Sequence, residues 1–364
     1  MAEFKPYPFY RRGIGMKNKS LVSRHARKTL RAFIEKEFDA GADAVWRETI
    51  PAPDGQKNVL YKALRMCLKA LNLKKLLTGT KEEVLDRAAK MNARNPFVLP
   101  ADKKAHYTDH LILDQYHCLE IDTEEQRREK AILFVFGGGM ILGSDKGDIG
   151  LSRKIAGKTG ADVWFPYYPM CHEHDMLENV RMVFACYRKM LETYSPKNIV
   201  FLGFSSGGAL ILDLITYINE RNDSGENDPM PGLLIAVSPA SIPVTQDEKD
   251  RLHELDSEDV MIPESYMYLA KEIMLCGHDV DEKYLATAHG DFRNAPETHL
   301  YYGSAETVYA FAPSYAESFQ KAGAECRIHV GEGMHHCYAL QASVPGCKAA
   351  FNEIMELIRE QFLR

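Results

Sequence analysis

Apolar positions recur along this chain with two different periods, and the change from one to the other divides it. Up to about residue 103 the period is helical. In SLVSRHARKTLRAFIEKEF the apolar residues Val22, Ala26, Leu30, Phe33, Ile34 and Phe38 fall every three or four positions, and in VLYKALRMCLKAL Leu60, Leu64, Cys67, Leu68 and Leu71 do the same. Thr80 followed by Glu83 forms a capping box that opens another helix, while Asn95-Pro96 and Pro100 close the region. The spacing predicts a helical cap over residues 1–103, without chemistry of its own.

From His106 the pattern shortens to strands. HYTDHLILDQYHCLEID alternates in two segments that predict an antiparallel pair, and AILFVF, 131–136, is a continuous apolar run of the kind found in a fully buried central strand. A helical stretch at 151–160 leads to the strand ADVWFPYY, a helix over about 176–194, the strand NIVFLG at 198–203 and a helix from Ser206. Strands follow at 233–238, 298–303 and 325–330, and a last helix turns Phe351, Ile354, Met355, Ile358 and Phe362 inward. Strands alternating with helices imply an α/β fold over 104–364, a mostly parallel sheet covered on both faces. The acidic run QDEKDRLHELDSED, 246–259, reads as a solvated loop or as part of a cap-like insertion spanning about 243–290.

Composition narrows the function classes. The 364 residues are 45% apolar, enough for a large core without metals or disulfides, and the net charge of -6 gives no support to nucleic-acid binding. Basic residues crowd the segment Met1 to Lys36, which reads as a solvated helix face rather than a membrane or partner surface. The start, MAEFKPYPFYRRG, lacks the apolar core of a secretory signal, and no run approaches the roughly 18 apolar residues of a membrane span. A cytoplasmic chain is expected. Its eight cysteines are scattered without a CxxC pair and read as buried free thiols.

Chemistry concentrates at Gly203-Phe204-Ser205-Ser206-Gly207, a G-x-S-x-G turn with a buried strand before it and an apolar helix after it. That register makes Ser205 the nucleophile and assigns Ser206 a backbone N–H at a helix N-terminus, where an oxyanion is favoured. A serine hydroxyl needs a base, and the base needs an orienting carboxylate. In the chain order Ser, acid, His, the best-placed acid is Glu306, just past the strand THLYYG; the base lies in GEGMHHCYAL, where His335 and His336 both qualify. His329, inside its strand, reads as a packed residue. The glycine run after AILFVF offers the N–H groups of Gly137 and Gly138 to the same oxyanion. A phosphate cradle is the weaker reading of that run, since neither GxxxxGK[ST] nor GxGxxG accompanies it.

These segments resemble, in order, the hormone-sensitive lipase family of α/β-hydrolases. LFVFGGGMILGS is similar to that family's H-G-G-G loop, VWFPYYPM to its D-Y-R-x-A-P segment, and NIVFLGFSSGGAL to its G-D-S-A-G-G elbow. LYYGSAETV resembles the segment that carries its acid, and VGEGMHHCYAL its G-M-x-H-x-F ending. The last likeness selects His336 through Gly333 and Met334. Phe136 stands where the family has the loop histidine, Glu306 where aspartate is commoner, and Phe204 and Pro166 where it has acidic residues. The resemblance implies an α/β-hydrolase fold and a carboxylesterase acting on short-chain acyl or acetyl esters through Ser205, His336 and Glu306. It implies no metal or cofactor and a small-molecule ester as partner, with a homodimer left open. A non-catalytic small-molecule binder on the same fold, and an amidase or peptidase with the same residues, are the alternatives.

Overall fold

The computed structural model describes residues 45–48, 59–123 and 129–364. The helix expected over 20–38 and the basic arm fall outside these residues. In chain order the elements are β1 (Val45–Glu48), α1 (Val59–Leu71), α2 (Lys81–Asn92), β2 (His106–Ile112), β3 (Tyr116–Asp122), β4 (Ala131–Val135), α3 (Lys146–Thr159), β5 (Asp162–Pro166), α4 (Met176–Met190), β6 (Ile199–Phe204), α5 (Ser206–Asp223) and β7 (Leu233–Val237). Then come α6 (Gln246–Asp256), α7 (Glu264–Leu275), β8 (Thr298–Gly303), α8 (Ala312–Ala322), β9 (Cys326–Gly331) and α9 (Pro345–Gln361), with short 3-10 turns between several of them.

The nine strands form one sheet in the order β1-β9-β8-β7-β6-β4-β5-β3-β2. Only the two pairings that involve β3 are antiparallel. Strands β4 to β9 are mostly apolar because both faces of a parallel sheet are covered: every residue of β4, β5, β7 and β8 is buried. The chain steps from β4 outward to β5, then reverses across β4 to β6. Right-handed crossovers therefore place α3 on one face and α4 with α5 on the other. Helix α9 packs back against α3, and α5 against α4. The reversal leaves a crevice at the carboxyl ends of the strands, the usual ligand position in such sheets.

Three features depart from the pattern read off the sequence. A short strand, β1, lies within the segment expected to be helical and forms the edge of the sheet, pairing in parallel with β9, Val45 opposite Cys326. Helix α1 turns Tyr61 inward and leaves Cys67 and Leu71 exposed; the Tyr61 hydroxyl donates to the carbonyl of Gly333, remote in sequence, in the turn that carries His335 and His336. The acidic run is a helix, α6, rather than a loop. Thr245 and Glu248 form its capping box and Leu252 and Leu255 its buried stripe.

Glu248 also staples the insertion to the body. Its buried carboxylate accepts from the N–H groups of Val244 and Thr245 and from the Ser314 hydroxyl, and pairs with His289 at 2.8 Å. Burial alone would raise its pKa, but His289, Ser314 and the two N–H groups hold it down at about 2. A carboxyl depressed in the folded state contributes stability above its unfolded value, lost as pH falls through the folded one. Glu248→Ala is therefore expected to cost about 3 kcal/mol at pH 7 in urea unfolding, and the gap to wild type should narrow as pH falls from 4.5 towards 2.

Candidate active site

Five segments meet at the carboxyl end of the sheet, each delivered by the strand before it. Ser205 follows β6 and sits at φ 53, ψ -127, a conformation that a side-chain-bearing residue adopts only when its surroundings impose it. What imposes it is contact. The Ser205 N–H donates to the Val237 carbonyl at 2.8 Å, and α5 begins so close to the loop after β4 that a Cβ on Gly207 would lie 2.1 Å from the Phe136 carbonyl oxygen. Only glycine at 207 lets the helix start there.

His336, in the turn after β9, reaches Ser205 Oγ with Nε2 at 2.9 Å and Glu306 Oε2 with Nδ1 at 2.6 Å. Glu306 is fully buried. Its Oε1 accepts from the Ser238 hydroxyl at 2.9 Å and from the N–H of Gly303 at 2.7 Å, so the longer side chain folds back onto its own turn. Ser238, at the end of β7 with φ 51, accepts in turn from the N–H of Cys337, the residue after the histidine. Asp259, from the acidic segment, takes the N–H of Thr307 beside Glu306. Neither Ser238 nor Asp259 carries a motif that sequence reading would catch; a serine closing an apolar strand was the one available signal for Ser238.

The two histidines turn to opposite sides. His335 Nδ1 meets the Tyr61 hydroxyl at 3.0 Å, and burial pushes its pKa down to about 4, so it stays neutral and structural. His329 is packed, as expected, with its ring stacked on Tyr301 at 4.2 Å. Burial disfavours charge on His336, but Cys337 and the Glu306 carboxylate more than offset it and hold its pKa well above the ordinary value. Burial likewise raises Glu306, opposed by His336 and Ser238.

The glycine loop passes directly over the elbow. Gly138 (φ 141) and Gly139 (φ 62) line the cavity with Ser205, Ser206 and His336. Gly137 is instead pressed against the elbow, where a Cβ would lie 2.7 Å from that of Ser205. It is not among the residues that line the cavity. Phe136 is buried and stacks on Tyr168 at 4.4 Å, and the Tyr168 hydroxyl donates to the Phe136 carbonyl at 3.0 Å. The cavity itself is about 680 Å³ and mostly apolar. Leu73 and Leu77, from the region expected to be chemically silent, form part of its wall together with Met267 and Met274 of α7. Met140 lines the cavity, whereas Tyr167 and Tyr168, the other candidate pocket residues among those described, do not; Tyr7, Phe9 and Tyr10 lie outside the described residues.

A family model for the alpha/beta hydrolase fold matches residues 132–340. The chain belongs to that family. Among relatives of this α/β-hydrolase, an esterase of Acinetobacter venetianus is 24% identical over 227 residues, 62% of this chain and 73% of the relative. Among solved structures, EstE5 soaked with p-nitrophenyl butyrate shares 18% identity at a TM-score of 0.70, covering 84% of this chain and 100% of that one. An esterase from the bacterial hormone-sensitive lipase family shares 20% identity at a TM-score of 0.67, covering 82% and 97%. These structures share the fold expected from the motifs. No helix among the described residues of the α/β-hydrolase is long and apolar enough to cross a membrane.

A base of raised pKa works only above that value. If His336 is the base, the acid limb of kcat/KM should therefore lie above the 6.5 or so of a free imidazole. Removing the carboxylate with Glu306→Gln should move the limb towards acid while lowering the plateau. A pH–rate profile with the limb unmoved in the variant would separate Glu306 from the titrating group.

Proposed function

We propose that this α/β-hydrolase is a serine carboxylesterase. The observation that carries the reading is a single imidazole within hydrogen-bond distance of both a strained serine and a buried carboxylate. In the proposed reaction Ser205 Oγ attacks the acyl carbonyl while His336 Nε2 takes its proton. Glu306 holds Nδ1–H and stabilises the imidazolium that forms. The N–H groups of Gly138, Gly139 and Ser206 receive the oxyanion, Ser206 with the favourable dipole of the α5 N-terminus. The alcohol leaves with the proton from His336, and water repeats the sequence on the acyl-enzyme.

The cavity refines the expected substrate. A wall of leucine and methionine enclosing some 680 Å³ is more than an acetyl group fills, and each buried methylene is worth roughly 0.8 kcal/mol. Esters with an apolar acyl chain of several carbons suit it better than acetylated sugars. The described part of the N-terminal region then acts as a wall of the acyl pocket. All eight cysteines are free, which supports a cytoplasmic site of action.

A p-nitrophenyl ester series tests both parts. kcat/KM should rise from acetate through butyrate and hexanoate by about threefold to fourfold per methylene, and acetate as the best substrate would contradict the pocket assignment. Ser205→Ala should lose about 10⁴-fold to 10⁶-fold in kcat. Ser206→Ala keeps the backbone donor and should lose less than about tenfold. Equal losses would contradict the assignment of the nucleophile.

A further inference from the structure

An imidazole at position 136 would brace the glycine loop from within. The Phe136 side chain has no polar group with which to do so, yet the loop is held by a series of hydrogen bonds to its backbone. Three of its carbonyls are bonded. Phe136 O accepts from the Tyr168 hydroxyl at 3.0 Å, Gly138 O from the N–H groups of Ile141 and Leu142, and Gly139 O from the Tyr266 hydroxyl at 2.5 Å. Beyond them, Met140 O accepts from Cys171 N–H at 2.7 Å, and Asn92 bonds Ile141 O and Gly143 N.

Because each peptide unit is planar, fixing a carbonyl fixes the N–H on the other side of the same bond. The Gly138 carbonyl sets the N–H of Gly139. The N–H of Gly138 belongs to the one unit left between two pinned neighbours. Tyr266 pins the unit that follows, between two consecutive residues at positive φ, Gly139 at 62 and Met140 at 63. Tyr266 is what holds the carbonyl of the unit between them, that of Gly139, while the Met140 carbonyl after it is held by Cys171.

Tyr266 does not come from the sheet. It stands in the first turn of α7, in the insertion, with its side chain 2% exposed and its ring against the cavity. A Cβ on Gly139 would lie 2.8 Å from its hydroxyl oxygen, so glycine at 139 leaves room for the contact. Burial raises the pKa of the phenol, which stays protonated and able to donate.

We propose that Tyr266 is a positioning residue for the oxyanion donors, bracing from outside, together with Tyr168, the loop that lacks an internal imidazole. The insertion is thereby part of the catalytic apparatus as well as a pocket wall. The role rests on the esterase reading of the site.

Tyr266→Phe tests it, since the variant keeps the ring that lines the cavity and removes only the hydroxyl. The measurements are the number of working sites by burst titration, kcat per titrated site and KM for p-nitrophenyl butyrate, and affinity for an alkyl boronic acid that forms a tetrahedral adduct with the serine. The expected result is a fall of about tenfold in kcat per site, smaller than the 10²-fold to 10³-fold typical of deleting a donor outright. KM should stay within about twofold and boronate affinity should weaken in parallel with kcat. Unchanged kcat per site, or a raised KM with unchanged boronate affinity, would overturn the proposal and leave Tyr266 a wall residue. Should Tyr266→Phe yield no folded protein, Tyr168→Phe carries the same expectation and the same contrary outcome. A wild-type protein with no titratable serine would contradict the esterase reading itself, and with it this role.

Discussion

The turn at Ser205 is the constraint around which the site is arranged. A serine at φ 53 stores strain that must be offset by packing, and the packing that holds it is the approach of α5 to the loop after β4. The same approach brings the N-terminus of α5 and the glycine loop to one spot. A residue larger than glycine at 207 would push the loop and helix apart and separate the strained serine from the N–H groups beside it. Strain, donors and the positive end of the helix dipole thus meet at one close contact.

Around that contact the polar groups form a chain with few loose ends. Ser205 meets His336, His336 meets Glu306, Glu306 takes Ser238 and Gly303, and Ser238 takes the backbone next to His336. Each link lies at the end of a different strand, so the parallel sheet sets the spacing and the loops need only short reaches. The glutamate illustrates how a longer side chain is accommodated: it curls back to the N–H of Gly303 rather than displacing its backbone. On the loop side, aromatic stacking and two tyrosine hydroxyls stand where a single imidazole was expected.

What the sequence disclosed follows from the range of the interactions involved. Strands buried on both faces announce themselves as apolar runs, and the elbow motif lies within five residues, so the sheet and Ser205 were legible. Glu306 and His336 were legible because each follows a strand directly, although the choice between His335 and His336 needed the family resemblance. Strand β1 was missed because four residues carry too little pattern and its partner is far along the chain. Helix α6 was missed because charge masked a two-leucine stripe, although Thr245 and Glu248 were there to be read. Ser238, Tyr168 and Tyr266 act through one or two hydrogen bonds to residues far along the chain. No local period encodes such contacts.

The most direct test of the account is reaction of the folded protein with an alkyl fluorophosphonate, followed by peptide mapping. The account predicts one adduct per chain, on Ser205, and loss of labelling in His336→Ala. An adduct on Ser206, or folded protein that takes up no label, would contradict it.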